Sequence, residues 1–300
     1  MAIITRSSHP SDLWPGIKTH FGMTYNKVPP KWSQIFEKET SDKYQEKVVE
    51  ATGFGMAPLK SEGAPIQYDS TGEGYASFFV HAVYGLGYIV TREELEDNLY
   101  TEVSTGRARG LAFSMNTTAE IVHANILNRG FDTNYAIGDG AALFSASHPT
   151  NSGSQSNLIT AADLSETSLE DGLKMMYQVR NNRGLNIAVE ARRLIVSTSE
   201  AFNAERILKT QLRVGTANND VNAIRSMGAI PEVVVNPYLS DADAFFIQTN
   251  VPEGFKSYWR RAVELEKDND FDTENAKAKA TMRFVAGVAD WRAGFGSAGV

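Results

Sequence analysis

Residues 91–131, TREELEDNLYTEVSTGRARGLAFSMNTTAEIVHANILNRGF, form the stretch on which the reading of this chain turns. Thr91 offers a hydroxyl in N-cap position and Glu94 stands three residues on, as in a capping box. Glu93, Glu96 and Asp97 place negative charge where the helix dipole favours it. Apolar residues then recur at Leu95, Leu99 and Val103, and again at Leu111, Met115, Val122 and Ile126, in steps that keep one helical face apolar. Arg129 and Gly130 supply the stop. Continuous over 41 residues, the helix would span about 60 Å, against an average helix of about 11 or 12 residues. Gly106 and Gly110 weaken its middle, so the spacing admits one bent helix or two, the second starting near Ser104.

Upstream of this helix the pattern turns to strand. KVVEATGF (47–54) and ASFFVHAVYGLGYIV (76–90) are rich in β-branched and aromatic residues, and the polar stretch between them, GMAPLKSEGAPIQYDSTGEGY, is marked by Gly and Pro. The spacing predicts a long two-stranded hairpin. A ribbon projecting alone is marginally stable in water, so this one needs a partner surface. Residues 1–45, with His9-Pro10, Trp14-Pro15-Gly16 and Val28-Pro29-Pro30, hold no helical or strand period. Yet Trp14, Phe21, Tyr25, Trp32, Ile35 and Phe36 are too apolar for a solvated linker. The segment lies either across its own domain or against a partner subunit.

Downstream comes a loop-rich passage, DTNYAIGDGAALFSASHPTNSGSQSNLITAADLS (132–165), and then an α/β layer of mixed order. A helix is read over 167–180, a strand over 185–198, a short helix over 199–212 and a loop over 213–225. Buried strands follow at 230–239 and 244–249, separated by the turn Ser240-Asp241-Ala242-Asp243. Two further strands are read at 257–268 and 276–297, the last long and near-alternating.

At 300 residues and 42% hydrophobic content, the chain has enough apolar material for one large domain or two modest ones. It holds no run of 18 uncharged apolar residues and begins with no signal-peptide pattern, so a soluble, unexported product is expected. The absence of cysteine excludes disulfides, thiolate catalysis and every Cys-based metal site. Net charge is −7 and uneven: residues 1–60 carry eight Lys/Arg against six Asp/Glu, whereas residues 61–105 carry one against eight. That asymmetry fits a solvated acidic loop, or contact between opposite charges on neighbouring copies. No basic stripe with interleaved aromatics appears, which argues against direct, tight DNA binding.

Candidate chemistry is thin. Ser145, Ser147 and His148 are neighbours in sequence, but there is no G-x-S-x-G elbow. Asp241 and Asp243, and the run Asp268, Asp270, Asp272 and Glu274, lack the Gly and terminal Glu spacing of a calcium loop and read as turns. His81 and His123 have no second ligand at i+4 and read as structural, and Gly53-Phe54-Gly55 is no nucleotide motif. No catalytic residue, cofactor or metal is expected, and the chain is not read as an enzyme.

The element order, an aromatic arm, a ribbon, a long helix, an α/β part and a final long strand, meets four moderately specific stretches: ALFSASHPT (142–150), RRLIVSTSEAFNAERIL (192–208), VVVNPYLSDADAFFIQT (233–249) and ATMRFVAGVADWRAGFGS (280–297). Together with that element order the stretches cover nearly the whole chain, which resembles the major capsid proteins of tailed bacteriophages, the Hong Kong 97-type fold, and within it the Mu-like major head subunit family. The resemblance implies an α+β fold with an N-terminal arm at 1–45, an E-loop hairpin at 46–90, a P-domain with the spine helix at 91–139, an A-domain at 140–249, and P-domain strands again at 250–300.

It further implies self-assembly, as pentamers and hexamers, into the icosahedral shell around the double-stranded DNA of a tailed phage or prophage. Scaffold, protease and portal proteins are the implied assembly partners, with assembly in the bacterial host cytoplasm and no membrane. The genome would be enclosed without tight, specific binding, which suits the modest acidity. Trp14, Trp32 and Phe36 on the arm, and Phe54 and Tyr68 on the ribbon, are the expected subunit contacts, with the 211–226 loop near a symmetry axis. Some relatives cross-link a Lys of the E-loop to an Asn; Lys60 lies in that region, but no matching Asn or Glu motif is found, and no cross-link is expected. The alternatives are an encapsulin-like cellular shell and, in another class, a hydrolase using His148.

Overall fold

A computed structural model describes residues 21–25, 29–91, 93–94, 100–213, 220–269 and 275–300. In chain order the first elements are α1 (Trp32–Ile35), β1 (Glu37–Thr40), β2 (Gln45–Ala51), β3 (Glu73–Val80), β4 (Ala82–Val90), α2 (Tyr100–Asn128), β5 (His148–Thr150) and β6 (Gly153–Gln155). Then come α3 (Glu166–Tyr177), β7 (Ala191–Val196), α4 (Ala201–Lys209), α5 (Ala223–Met227), β8 (Glu232–Val235), β9 (Phe245–Thr249), β10 (Phe255–Asn269), β11 (Ala276–Val288) and β12 (Gly294–Ser297).

The long helix is single over the part described, passing through both glycines without a break. A Cβ at Gly106 or Gly110 would meet nothing within 4 Å, so both lie on open helix surface. At its approach Thr91 Oγ1 accepts from the Glu94 N–H at 3.4 Å, and the Glu94 carboxylate takes both arms of Arg107 at 2.8 and 3.0 Å. Leu95, Leu99 and Val103 fall outside the described side chains. Leu111 and Met115 are buried as their spacing implies, and Ala108, Ala112, Ala119 and Ala124 complete a narrow face that brings the backbone close to the sheet beneath.

That sheet has the order β1-β10-β11-β4, with β1 parallel to β10 and the other pairs antiparallel. A second sheet, β12-β9-β7-β8, has β7 and β8 parallel and is covered by α3 and α4. At Gly172 of α3 an added Cβ would lie 2.8 Å from the Ile159 Cδ1 and 2.9 Å from the Ile247 Cδ1, so a larger residue here would require these side chains to shift. Each sheet has its own core. Trp32, Phe36, Met115, Trp259, Met282 and Phe284 fill the first; Leu169, Met176, Leu194, Phe245, Ile247 and Trp291 fill the second.

The strand-rich run 76–90 does not form one hairpin arm. It divides at His81: β3 pairs with β2, while β4 pairs with β11 of the first sheet. His81 is buried at the division, its Nε2 hydrogen-bonded to Ser41 Oγ at 3.1 Å. The run 276–297 divides too. After β11, Asp290 Oδ1 accepts from the Arg292 N–H and caps a short 3-10 turn, Trp291–Ala293, and β12 then joins the second sheet beside β9. The strand read at 185–198 shrinks to β7, and the loop read at 213–225 ends inside α5, which is capped by Asn222 and ended by Gly228 at φ 60°.

Candidate subunit-contact surface and the buried histidines

The β2–β3 ribbon pairs from Gln45 opposite Val80 to Ala51 opposite Glu73. Beyond it residues 52–72 form no strand, although Thr52 and Gly72 close the neck, with the Thr52 N–H on the Gly72 carbonyl at 3.0 Å and the Gly72 N–H on Thr52 Oγ1 at 2.9 Å. Past the neck the apolar residues point outward: Phe54, Met56, Leu59, Ile66 and Tyr68 are 61–97% exposed. Covering a side chain of this size is worth about 1.5–3 kcal/mol, and a contiguous exposed set marks a protein-contact surface.

The root of this loop is tied to its own chain. Glu50 Oε1 pairs with Arg292 at 2.9 Å, and Glu50 Oε2 accepts from Asn182 Nδ2 at 2.8 Å. Burial pushes the Glu50 carboxyl up, and Arg292 opposes that shift. Farther out, Arg183 Nη2 donates to the Ser70 carbonyl at 2.6 Å, and the Gly55 and Ser70 N–H groups hold Asp69 below the ordinary carboxylate range. Beside the ribbon a groove of about 710 Å³ opens between β3, α2 and residues 135–138, walled by Phe78, Val122, Ile126, Arg129 and Ile137.

Of the residues expected at subunit contacts, Phe54 and Tyr68 lie on this exposed loop. Trp14 lies outside the described residues, as do 214–219 of the 211–226 loop. Trp32 and Phe36 have only 6% and 3% of their surface exposed. Trp32 stacks on His123 at 4.4 Å and on Trp259 at 5.5 Å, and Phe36 meets His123 and Phe255 edge-on. The Glu120 carboxylate accepts the N–H groups of Lys31 and Trp32 at 2.6 and 3.1 Å, capping α1 from the side of α2. Both rings therefore seat the segment on its own chain, which corrects their expected role between subunits: α2 supplies the pocket that a neighbour was expected to supply.

His123 and His148 are both buried and differently satisfied. His123 Nδ1 lies 2.6 Å from the Ala119 carbonyl and donates to it, which leaves Nε2 to accept from Ser257 Oγ at 2.8 Å; Ser257 in turn accepts the Trp259 indole N–H. Burial without a counter-ion holds the His123 pKa down at about 4. His148 lies between Asp139 Oδ2 at 2.6 Å and Asn157 Oδ1 at 2.9 Å, its ring stacked 4.6 Å from Trp291. Asn157 Nδ2 donates to the carbonyls of Leu143, Trp291 and Gly294, so its Oδ1 is the atom that faces the histidine.

Neither serine near His148 reaches it. The Ser147 hydroxyl pairs with Ser154, and Ser145 Oγ takes the Ser147 N–H. A histidine with both nitrogens engaged and no exposed surface has no route to a substrate, which removes the hydrolase reading. Asp139, Asn157 and Trp291 were not singled out by sequence, because nothing local marks residues that converge from positions this far apart. Asp241 Oδ1 accepts the N–H groups of Asp243 and Ala244, a turn as expected. Among the described residues no group of three or more His, Asp or Glu could hold a metal, and no helix is long and apolar enough to cross a membrane.

Residues 75–296 match a family model described as phage capsid protein. The chain belongs to that family. Solved structures agree in fold. Mycobacterium phage Patience is 11% identical over 99% of this chain and 90% of that one, at a TM-score of 0.56. The capsid of Myoviridae phage XM1 is 10% identical over 91% and 92%, at 0.54, and a virus-like particle from Pyrococcus furiosus 9% identical over 95% and 99%, at 0.52. No curated protein sequence matches the chain. The fold is the Hong Kong 97-type capsid fold, and the protein is a phage major capsid protein, a virion component.

Proposed function

We propose that this capsid protein is the major head subunit of a tailed phage or prophage, of the Mu-like division, building pentamers and hexamers of an icosahedral shell around double-stranded DNA. The observation that carries the reading is the 52–72 loop, anchored at its root by Glu50 and Arg183 and bare at Phe54, Leu59 and Tyr68. A monomer gains nothing from that arrangement, whereas a repeating assembly covers the loop once per subunit. In this reading the loop is the E-loop tip, the α2 sheet with its helix is the P-domain, and the second sheet with α3 and α4 is the A-domain. The net charge of −7 suits a wall that releases its genome, and scaffold, protease and portal proteins act on the subunit in the host cytoplasm.

Negative-stain microscopy of the purified protein tests the proposal. Shells or capsomer rings are expected; a small discrete oligomer would sink it. Deleting residues 1–20 tests the arm while keeping Trp32 and Phe36 in the chain, and unchanged particle formation would remove that segment from assembly. Deletion through Phe36 is no such test, since it empties the pocket filled by Trp32 and Phe36.

A further inference from the structure

On the face of the first sheet away from α2, arginines of neighbouring strands stand together with only a distant carboxylate beside them. Arg261 of β10 stands directly opposite Arg283 of β11, and a bulge between Trp259 and Arg261 inserts Arg260 beside the pair, close enough to act on His81. Like charges directly opposite weaken a sheet, and bulges recur where a side chain is re-aimed. The Nε atoms of Arg261 and Arg283 are both buried and both lack a hydrogen-bond partner. Glu264 approaches Arg261 only to 3.9 Å. His81, 6% exposed, completes the cluster: Val83, its neighbour but one, is the register partner of Arg283, and the imidazole Nδ1 is also without a partner. Glu46, whose charge acts on His81, is taken by Ser41 Oγ at 2.6 Å and Lys43 Nζ at 3.1 Å. Burial first, then Arg283 and Arg260, keep His81 below its ordinary pKa against the pull of Glu46. The isolated chain thus retains a like-charged cluster in which three buried nitrogens, Nε of Arg261, Nε of Arg283 and Nδ1 of His81, have no partner, while the rest of the Arg261 side chain reaches the surface.

We propose that this cluster receives a carboxylate from a second copy of the chain, drawn from its acidic 61–105 segment. The inference rests on the reading of the protein as a shell subunit. Charge complementarity selects the occupant: that segment carries eight acidic residues against one basic, and Glu62, Glu73 and Glu93 within it are exposed. A guanidinium pair offers the forked donors a carboxylate accepts. A phosphate would satisfy the same donors, but a chain of net charge −7 repels a polyanion, so DNA is the outcome to exclude and not the ligand assigned.

The test is assembly of the full chain with Arg261→Gln and Arg283→Gln. Relief of the like-charge pair leaves the dissociated subunit as stable as the native chain or more so, while the concentration needed for shells rises about tenfold or more. Arg283→Glu abolishes shells, and Glu→Lys at position 62, 73 or 93 in that background restores them. Shell formation by the double Gln variant at the native concentration would overturn the proposal, and so would loss of shells accompanied by loss of subunit stability. Loss of salt-dependent retention on double-stranded DNA, with no reversal restoring shells, would assign the cluster to phosphate instead. Failure of the native chain to form shells would overturn the function itself; native assembly beside an indifferent variant overturns this inference alone.

Discussion

Two irregular segments leave strands of this molecule carrying large aromatic residues, and they do opposite things with them. The 52–72 loop turns Phe54 and Tyr68 outward, at 61% and 93% exposure, while the 289–293 crossing buries Trp291 completely against His148. The crossing lies where two sheets converge, so its ring has walls on every side and its flanking carbonyls are met by Asn157. The loop leaves a two-stranded ribbon that has no second layer beyond its neck. Apolar content therefore states that a surface will be covered; which chain covers it depends on what stands within reach.

Breaking the crossing should cost most. Trp291→Ala removes a fully enclosed ring and is expected to lower subunit stability by about 3–5 kcal/mol in urea denaturation; a loss below about 1 kcal/mol would mean that the crossing does not join the two layers. Acid comes next. Because the His123 pKa is about 4 in the folded chain and 6.5 in the unfolded one, the unfolded state binds more protons between those values, and stability falls as pH drops through that window. The loss should approach roughly 3 kcal/mol at pH 4, at about 1.36 kcal/mol per pKa unit, and His123→Gln should flatten the profile.

Smaller effects sharpen the contrast. Gly106→Ala with Gly110→Ala should raise helix stability by about 1 kcal/mol at each site, since both positions are open. If shells then assemble and expand normally, the helix does not bend there in assembly. The smallest change in the subunit is expected on the loop: Phe54→Ser with Tyr68→Ser should stay within about 0.5 kcal/mol of the native chain while shell formation, followed by light scattering, is lost. A subunit destabilised by that pair would show that the loop folds back on its own chain.

Much of the fold was legible because it is local. The cap at Thr91, the 3.6-residue spacing from Leu111 to Ile126 and the helical spacing over 167–180 are read from neighbours in sequence, and the helices follow. The divisions at His81 and Asp290 were not legible. Runs 76–90 and 276–297 alternate smoothly across both points, and a strand pattern carries no record of its pairing partner. On the candidate surface Phe54 and Tyr68 were found as apolar residues in a turn-rich loop. Trp32 and Phe36 carried the same signal and went inward, because Glu120 and His123 of a distant helix meet them.

By itself, then, the sequence determined the longer helices α2, α3 and α4 and most of the strand-forming runs, consequences of side chains a few residues apart. Only the tertiary structure decided where strands change sheets, that His148 is sealed between Asp139 and Asn157, and that Arg261 faces Arg283 across β10 and β11. These depend on register and on contacts between positions remote in the chain. Burial then sets the energetic consequence, because a polar group withdrawn from water must find its partner in the fold or in a neighbouring molecule.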